Sequence, residues 1–176
     1  MTIYGHCGPW ALGTDMSDSK AFYKNILYPL QDKVLTLVAE ANSAFYLTGG
    51  TALSRGYLHH RFSDDLDFFV NNYKDFKTEV DAIGSLLAQA FPSFTFLLKE
   101  DTFVRAAIRE EAQLKIDFVN YVDFRVGAPL DSPLFVRTDN HLNILANKVS
   151  ALSRDEPKDF SDIWFLAKNS LSLGRK

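Results

Sequence analysis

The stretch Phe45–Val70, FYLTGGTALSRGYLHHRFSDDLDFFV, sets Asp65 and Asp67 among some of the most core-seeking residues in the chain. Side chains alternate along a strand, so residues two apart point to the same side of a sheet. Read as a strand, Leu66 to Val70 buries Leu66 and Phe68 and leaves Asp65 and Asp67 side by side on the other face. Two like charges held that close repel, and one takes up a proton unless a cation compensates. A divalent ion is the obvious compensator, and oxygen-only donors point to Mg2+ or Mn2+ rather than zinc. Upstream, Phe45 to Thr48 reads as a short buried strand handing over to a helix at Gly49-Gly50-Thr51. The free N–H groups and dipole of a helix start favour an anion. Gly49 and Gly50 let the backbone approach a phosphate, and the Thr51 hydroxyl adds a hydrogen bond. The segment lacks the Gly-Lys-Ser/Thr ending of a Walker A loop and is not a GxGxxG fingerprint.

Working outward, apolar residues recur at helical spacing from about Ser17 to Ala41, with Ser17 or Asp18 as the cap. Thr51 to His60 reads as a helix, and so does Tyr73 to Phe91. Three strand-like runs follow: Phe94 to Leu98, Phe103 to Arg109 and Gln113 to Tyr121. Their short charged separators predict antiparallel hairpins. Pro133 to Arg137 reads as a further short strand, and two helices finish the chain, Asp139 to Ser153 and Lys158 to Asn169. This order predicts a mixed sheet with packed helices, an α/β (α+β) domain rather than a doubly wound parallel sheet. The chain divides into an irregular lead-in (1–16), a core (17–137) and a C-terminal helical segment (138–176).

The composition excludes several classes. An apolar fraction of 47% suits a packed core rather than a disordered chain. A formal charge of −3 gives no global attraction to nucleic acid. One cysteine, Cys7, excludes an internal disulfide framework and cysteine-rich zinc sites. No apolar run approaches a membrane span, and the N-terminus lacks the pattern of a signal peptide, so a cytoplasmic location is expected.

A third acid, Asp117, interrupts the apolar run Gln113 to Val119 much as Asp65 and Asp67 interrupt theirs. If its strand lies beside Leu66–Val70, three unpaired carboxylates converge. They would suffice for two metal ions, with Asp117 placed to receive the proton of an attacking hydroxyl. Around them, Arg61 would steady a carboxylate or meet a phosphate, and Ser63 would order the turn. Alternation turns Asp64 to solvent, and His59-His60 read as polar residues on a helix surface. Tyr57 or Tyr121 could stack on a base. Lys158 and Asp162, four apart, read by themselves as an ordinary surface ion pair.

Gly-Gly-Thr at one helix start with D-x-D on the next strand resembles the signature of the DNA polymerase β-like nucleotidyltransferases. GGTAL (Gly49–Leu53), HRFSDDLDF (His60–Phe68) and NKVSALSRDEPKDFSDI (Asn147–Ile163) resemble more closely the AbiEii/AbiGii toxin family. The resemblance implies a minimal nucleotidyltransferase fold with Mg2+ bound by Asp65 and Asp67. It further implies a nucleoside triphosphate held by Gly50, Thr51 and the C-terminal basic residues Lys148, Arg154 and Lys158. Asp159 and Asp162 would then orient Arg154 or Lys148. The expected activity is transfer of a nucleoside monophosphate to an acceptor hydroxyl on an RNA such as tRNA, a protein or a small molecule. A cognate antitoxin is an expected partner. The alternative from another class is a nucleotide- or partner-binding module with the same fold and no turnover.

Overall fold

The computed structural model describes residues 16–173. The lead-in expected over residues 1–16 lies outside that range except for Met16, which already belongs to the first helix. Helix α1 (Met16–Phe22) runs through a π-helical segment, Tyr23–Leu27, into α2 (Tyr28–Glu40). Ser17 and Asp18 therefore sit inside the helix rather than capping it. Strand β1 (Tyr46–Thr48) leads into α3 (Gly49–Thr51), continued by a second π-helical segment, Ala52–Leu58. Strand β2 (Leu66–Asn71) and helix α4 (Phe76–Ala90) follow. The predicted hairpins are β3 (Thr95–Lys99), β4 (Phe103–Arg109) and β5 (Gln113–Tyr121). Helices α5 (His141–Ser150) and α6 (Pro157–Leu173) close the described chain, joined by a 3-10 turn at Ala151–Arg154.

The sheet order is β1-β2-β5-β4-β3. Only β2 and β5 run parallel; β1 pairs antiparallel with β2, and β3, β4 and β5 form an antiparallel meander. Alternation divides the sheet into two unlike faces. Leu66, Phe68, Val70, Leu114, Ile116 and Phe118 are buried against Val34, Leu35 and Val38 of α2 and Val80, Ile83 and Leu87 of α4. Phe118 anchors this core, with ring centroids 5.2 Å from Phe45 and 5.6 Å from Phe68. Burial of one such side chain contributes about 1.5–3 kcal/mol, so the core fixes the strands from one side. The other face carries the acids.

The segment Pro133–Arg137 is not a strand. Ser132 Oγ instead gathers the backbone N–H groups of Leu134 and Phe135 into a turn. Pro133 has no N–H to give a ladder. The chain then meets β1 at one residue: Leu47 N donates to the Arg137 carbonyl, and Asp139 N donates to the Leu47 carbonyl, both at 2.8 Å. Those bonds cover the free edge of β1.

Candidate active site

Strand register lines up Thr48, Asp67, Asp117 and Arg105 across four strands on the open face. Asp65 stands one step ahead of β2, level with Lys115 of β5. The sheet thus brings Asp65, Asp67 and Asp117 together: alternation predicts the first two, and the pairing of β5 with β2 meets the condition set for the third. It does not leave them unpaired. Lys115 Nζ lies 2.7 Å from Asp65 Oδ2. Arg105 clasps Asp117 with Nε and Nη2, each 2.8 Å from a different carboxylate oxygen. Among the described residues no cation pairs directly with Asp67. Burial, then the charges of Asp65 and Asp117, push its carboxyl up to about 6, while Lys115 and Lys148 pull the other way.

Gly49 belongs to this site for a steric reason. Its φ is +68°, and a Cβ there would sit 2.1 Å from Asp67 Oδ2. A Cβ at Gly50 would meet Arg61 Nη2 and Ser63 Oγ at 2.9 Å. The two glycines therefore let the helix start close on an acid and on a guanidinium. Gly49→Ala is expected to lose more than the roughly 1–2 kcal/mol of left-handed backbone cost. Gly127, with φ +67° and only an ordinary contact for a Cβ, Asn140 Nδ2 at 3.8 Å, is the control. Thermal unfolding should place Gly49→Ala well below Gly127→Ala; equal melting points would refute the steric reading.

Thr51 differs from expectation. It is fully buried; its hydroxyl donates to the Asp65 carbonyl at 2.5 Å and stands 2.9 Å from Ser63 Oγ. The side chain thus fixes the loop before the acids. The same loop is held from behind by Gln31, whose buried amide donates to the carbonyls of Ser63 and Asp64. Tyr23 stacks on Phe62 at 4.3 Å and donates to Asp64, which is exposed as predicted.

The C-terminal helices bring in a buried ionic knot. Asp162 is fully enclosed, and four donors approach its carboxylate. Oδ1 accepts from His60 Nε2 and Arg61 Nε, each at 2.7 Å. Oδ2 accepts from Arg61 Nη2 at 2.7 Å and faces Lys148 Nζ at 2.9 Å. Lys148 also reaches Asp159 at 2.6 Å. Burial raises the Asp162 pKa, but Arg61 and Lys148 outweigh it and hold the carboxyl at about 2. An ionised acid accepts only, so His60 carries its proton on Nε2. Asp159 and Asp162 both orient Lys148, one of the two basic partners the resemblance implies, and neither reaches Arg154. The surface pair that the spacing of Lys158 and Asp162 suggests by itself does not form, because Asp162 faces inward from α6. His60 is not a surface residue, because its side chain is enclosed against Phe165 of α6. Arg154 and Lys158 are exposed and have no ion pair among the described residues. Arg61 and Lys148 are the basic groups the fold gathers beside Gly50 and Asp67.

Tyr57 donates to the Asp139 carbonyl at 2.7 Å, while Tyr121 is exposed and packs on Phe69. Asp139, buried, accepts from Thr48 at 2.9 Å and pairs with Arg125 at 3.0 Å. That pair buttresses the β1 end of the acidic row. The alternation rule could have found Lys115, two residues before Asp117 on the same face. Hairpin counting could have found Arg105: four steps back from the Arg109–Gln113 pair sets it opposite Asp117.

Among the described residues no three His, Cys, Asp or Glu side chains form a cage for a metal ion. Asp65 and Asp67 still suit a hard divalent cation. Both are oxygen donors, adjacent and in charge excess, and Mg2+ is commonly held by one or two carboxylates plus substrate phosphates.

A five-stranded mixed sheet with acids on its open face, beside a Gly-Gly helix start, defines a protein of nucleotidyltransferase fold. JHP933 from Helicobacter pylori superposes with a TM-score of 0.57 over 80% of this chain and 66% of its own, at 24% identity. ANT(2")-Ia, solved in complex with adenylyl-2"-tobramycin, superposes with a TM-score of 0.54 over 80% and 87%, at 19% identity. In sequence, the uncharacterized protein aq_aa25 of Aquifex aeolicus is 30% identical over 139 residues, 70% of this chain and 58% of its own length. Residues 35–175 match the family described as nucleotidyl transferase AbiEii toxin, Type IV TA system. The chain belongs to that family. It spans less than two thirds of the length of the Aquifex and H. pylori relatives. No helix among the described residues is long and apolar enough to cross a membrane.

Proposed function

We propose that this chain transfers a nucleoside monophosphate from a nucleoside triphosphate to an acceptor hydroxyl, releasing pyrophosphate. The observation that carries the reading is the convergence of Asp65, Asp67 and Asp117 on one sheet face beside the Gly50 helix start. The backbone N–H groups at Gly50 would meet the triphosphate, with Arg61 and Lys148, held in place by Asp162 and Asp159, adding positive charge behind them. In-line displacement at the α-phosphorus asks the protein mainly to position groups and offset charge. The acceptor oxygen bonds to phosphorus as the bridge to the β-phosphate breaks. Its proton passes to Asp117, the acid of the row that is not assigned to the cation. Mg2+ or Mn2+, held by Asp65 and Asp67, would neutralise charge building on the phosphates.

The family description places relatives in a Type IV toxin–antitoxin system, which supports a toxin-like role with a cognate antitoxin as partner. The acceptor class is open to RNA, protein or small molecule. The aminoglycoside adduct named for ANT(2")-Ia illustrates a small-molecule hydroxyl as acceptor on this fold. The assay is Mg2+-dependent transfer of α-labelled nucleotide by the purified chain to cell-extract acceptors. Asp65→Ala is expected to reduce transfer by about 100- to 1000-fold, the scale of losing a principal electrostatic group. An unchanged rate would overturn the reading. The pairing of Asp65 with Lys115 and of Asp117 with Arg105 favours a second reading, a nucleotide- or partner-binding module without turnover. That reading expects nucleotide binding with no pyrophosphate release.

A further inference from the structure

Resting on the transferase reading, we propose that the site takes one divalent cation, at Asp65 and Asp67. The Lys115 ammonium supplies the positive charge that a second ion would otherwise place beside Asp65. Three observations carry this. Lys115 is on the acidic face by strand alternation, and the parallel register of β2 with β5 sets it level with Asp65. Its Nζ, 2.7 Å from Asp65 Oδ2, fills the space of a metal about 2.1 Å from that oxygen, which leaves Asp65 Oδ1 for the one cation shared with Asp67. Both Asp117 oxygens are meanwhile committed to Arg105, so the third carboxylate of a two-ion cage is already taken.

Charge balance agrees with the geometry. Asp65, Asp67 and Asp117 against Lys115 and Arg105 leave a single surplus negative charge. One divalent ion turns that into a modest positive balance suited to a triphosphate; two would leave several unmatched positive charges before substrate arrives. A lysine ammonium is a compact point charge with three donors. It can therefore keep its contact with Asp65 while donating to a phosphate oxygen.

The test counts ions rather than turnover. The full chain is saturated with a non-hydrolysable α,β-methylene triphosphate, and bound Mn2+ is titrated by electron paramagnetic resonance. Wild type and Lys115→Arg are expected to hold one Mn2+ per protein–analogue complex. Lys115→Gln, which removes the charge from a partly exposed position outside the core, is expected to admit a second. Two ions in the wild type, or a single ion in Lys115→Gln, would overturn the proposal while leaving nucleotide transfer standing. Failure of the analogue to bind the wild type would overturn the transferase reading, and this proposal with it.

Discussion

Asp162→Ala is expected to destabilise the protein by about 3–5 kcal/mol, the scale of breaking a buried ion pair from one side. The size follows from what the substitution strands. His60, Arg61 and Lys148 all converge on this one carboxylate, and their side chains are 1%, 21% and 11% exposed. Removing the acceptor leaves those donors in a space water barely reaches, with only Asp159 left beside Lys148. The pH dependence has a definite sign. The folded carboxyl is held at about 2, below its ordinary value of 3.8. The stabilisation is therefore present above roughly pH 4 and fades as pH falls toward 2. Urea unfolding of wild type and variant at pH 7 and near pH 2 measures this directly: the gap should be wide at the first and much narrower at the second. A pH-independent gap would mean that packing, not charge, dominates. Asp162→Asn, which keeps one acceptor oxygen and the shape, should lose less than alanine.

This knot also marks where reading the sequence alone reaches its end. Strand alternation depends only on local geometry, so it puts Asp65 and Asp67 on one face and Leu66 and Phe68 on the other. Asp117 joins them only through the pairing of β5 with β2, which alternation does not predict. Hairpin arithmetic depends on loop length, so β4 and β5 were found with the bounds that Phe103–Arg109 and Gln113–Tyr121 predicted. Of the partners of Asp162, the family resemblance implies Lys148, whereas His60 and Arg61 depend on how α6 packs a hundred residues after them. Periodicity along the chain carries no trace of that crossing. The i, i+4 spacing of Lys158 and Asp162 offered a local pair, and the tertiary packing overrode it. Thr51 shows the same limit on a smaller scale. Its sequence position suits a phosphate ligand, yet the return of the Ser63–Asp65 loop claims its hydroxyl. Pro133–Arg137 departs from the strand expectation because its apolar residues only look strand-like, while the turn built on Ser132 Oγ is invisible to a period-two pattern.

Asp67→Asn is expected to divide function from stability, lowering nucleotide transfer by about 1000-fold while making the folded protein more stable at neutral pH. The carboxyl is pushed up to about 6, by burial first and then by the charges of Asp65 and Asp117. A folded-state pKa above the unfolded value of 3.8 means that folding favours the protonated form. The penalty for the ionised form is absent below about pH 4, grows as pH rises through 6 and is complete above it. An amide removes that charge at nearly the same shape, so the variant should gain on the order of 1–3 kcal/mol at pH 8, the scale of a shift of about two pKa units. At pH 4 the two proteins should be nearly equal. A gain of that size raises the melting point by about 2–4 °C per kcal/mol for a chain this long. Mg2+ supplies a second handle: cation binding to the native site should stabilise the wild type by mass action and stabilise Asp67→Asn much less. Thermal melts of both proteins at pH 4 and pH 8, with and without Mg2+, separate these effects. An Asn variant no more stable than wild type at pH 8 would mean that Asp67 is not crowded by its neighbours. The acidic row would then be a relaxed, solvated surface rather than a strained site that a cation and a phosphate complete.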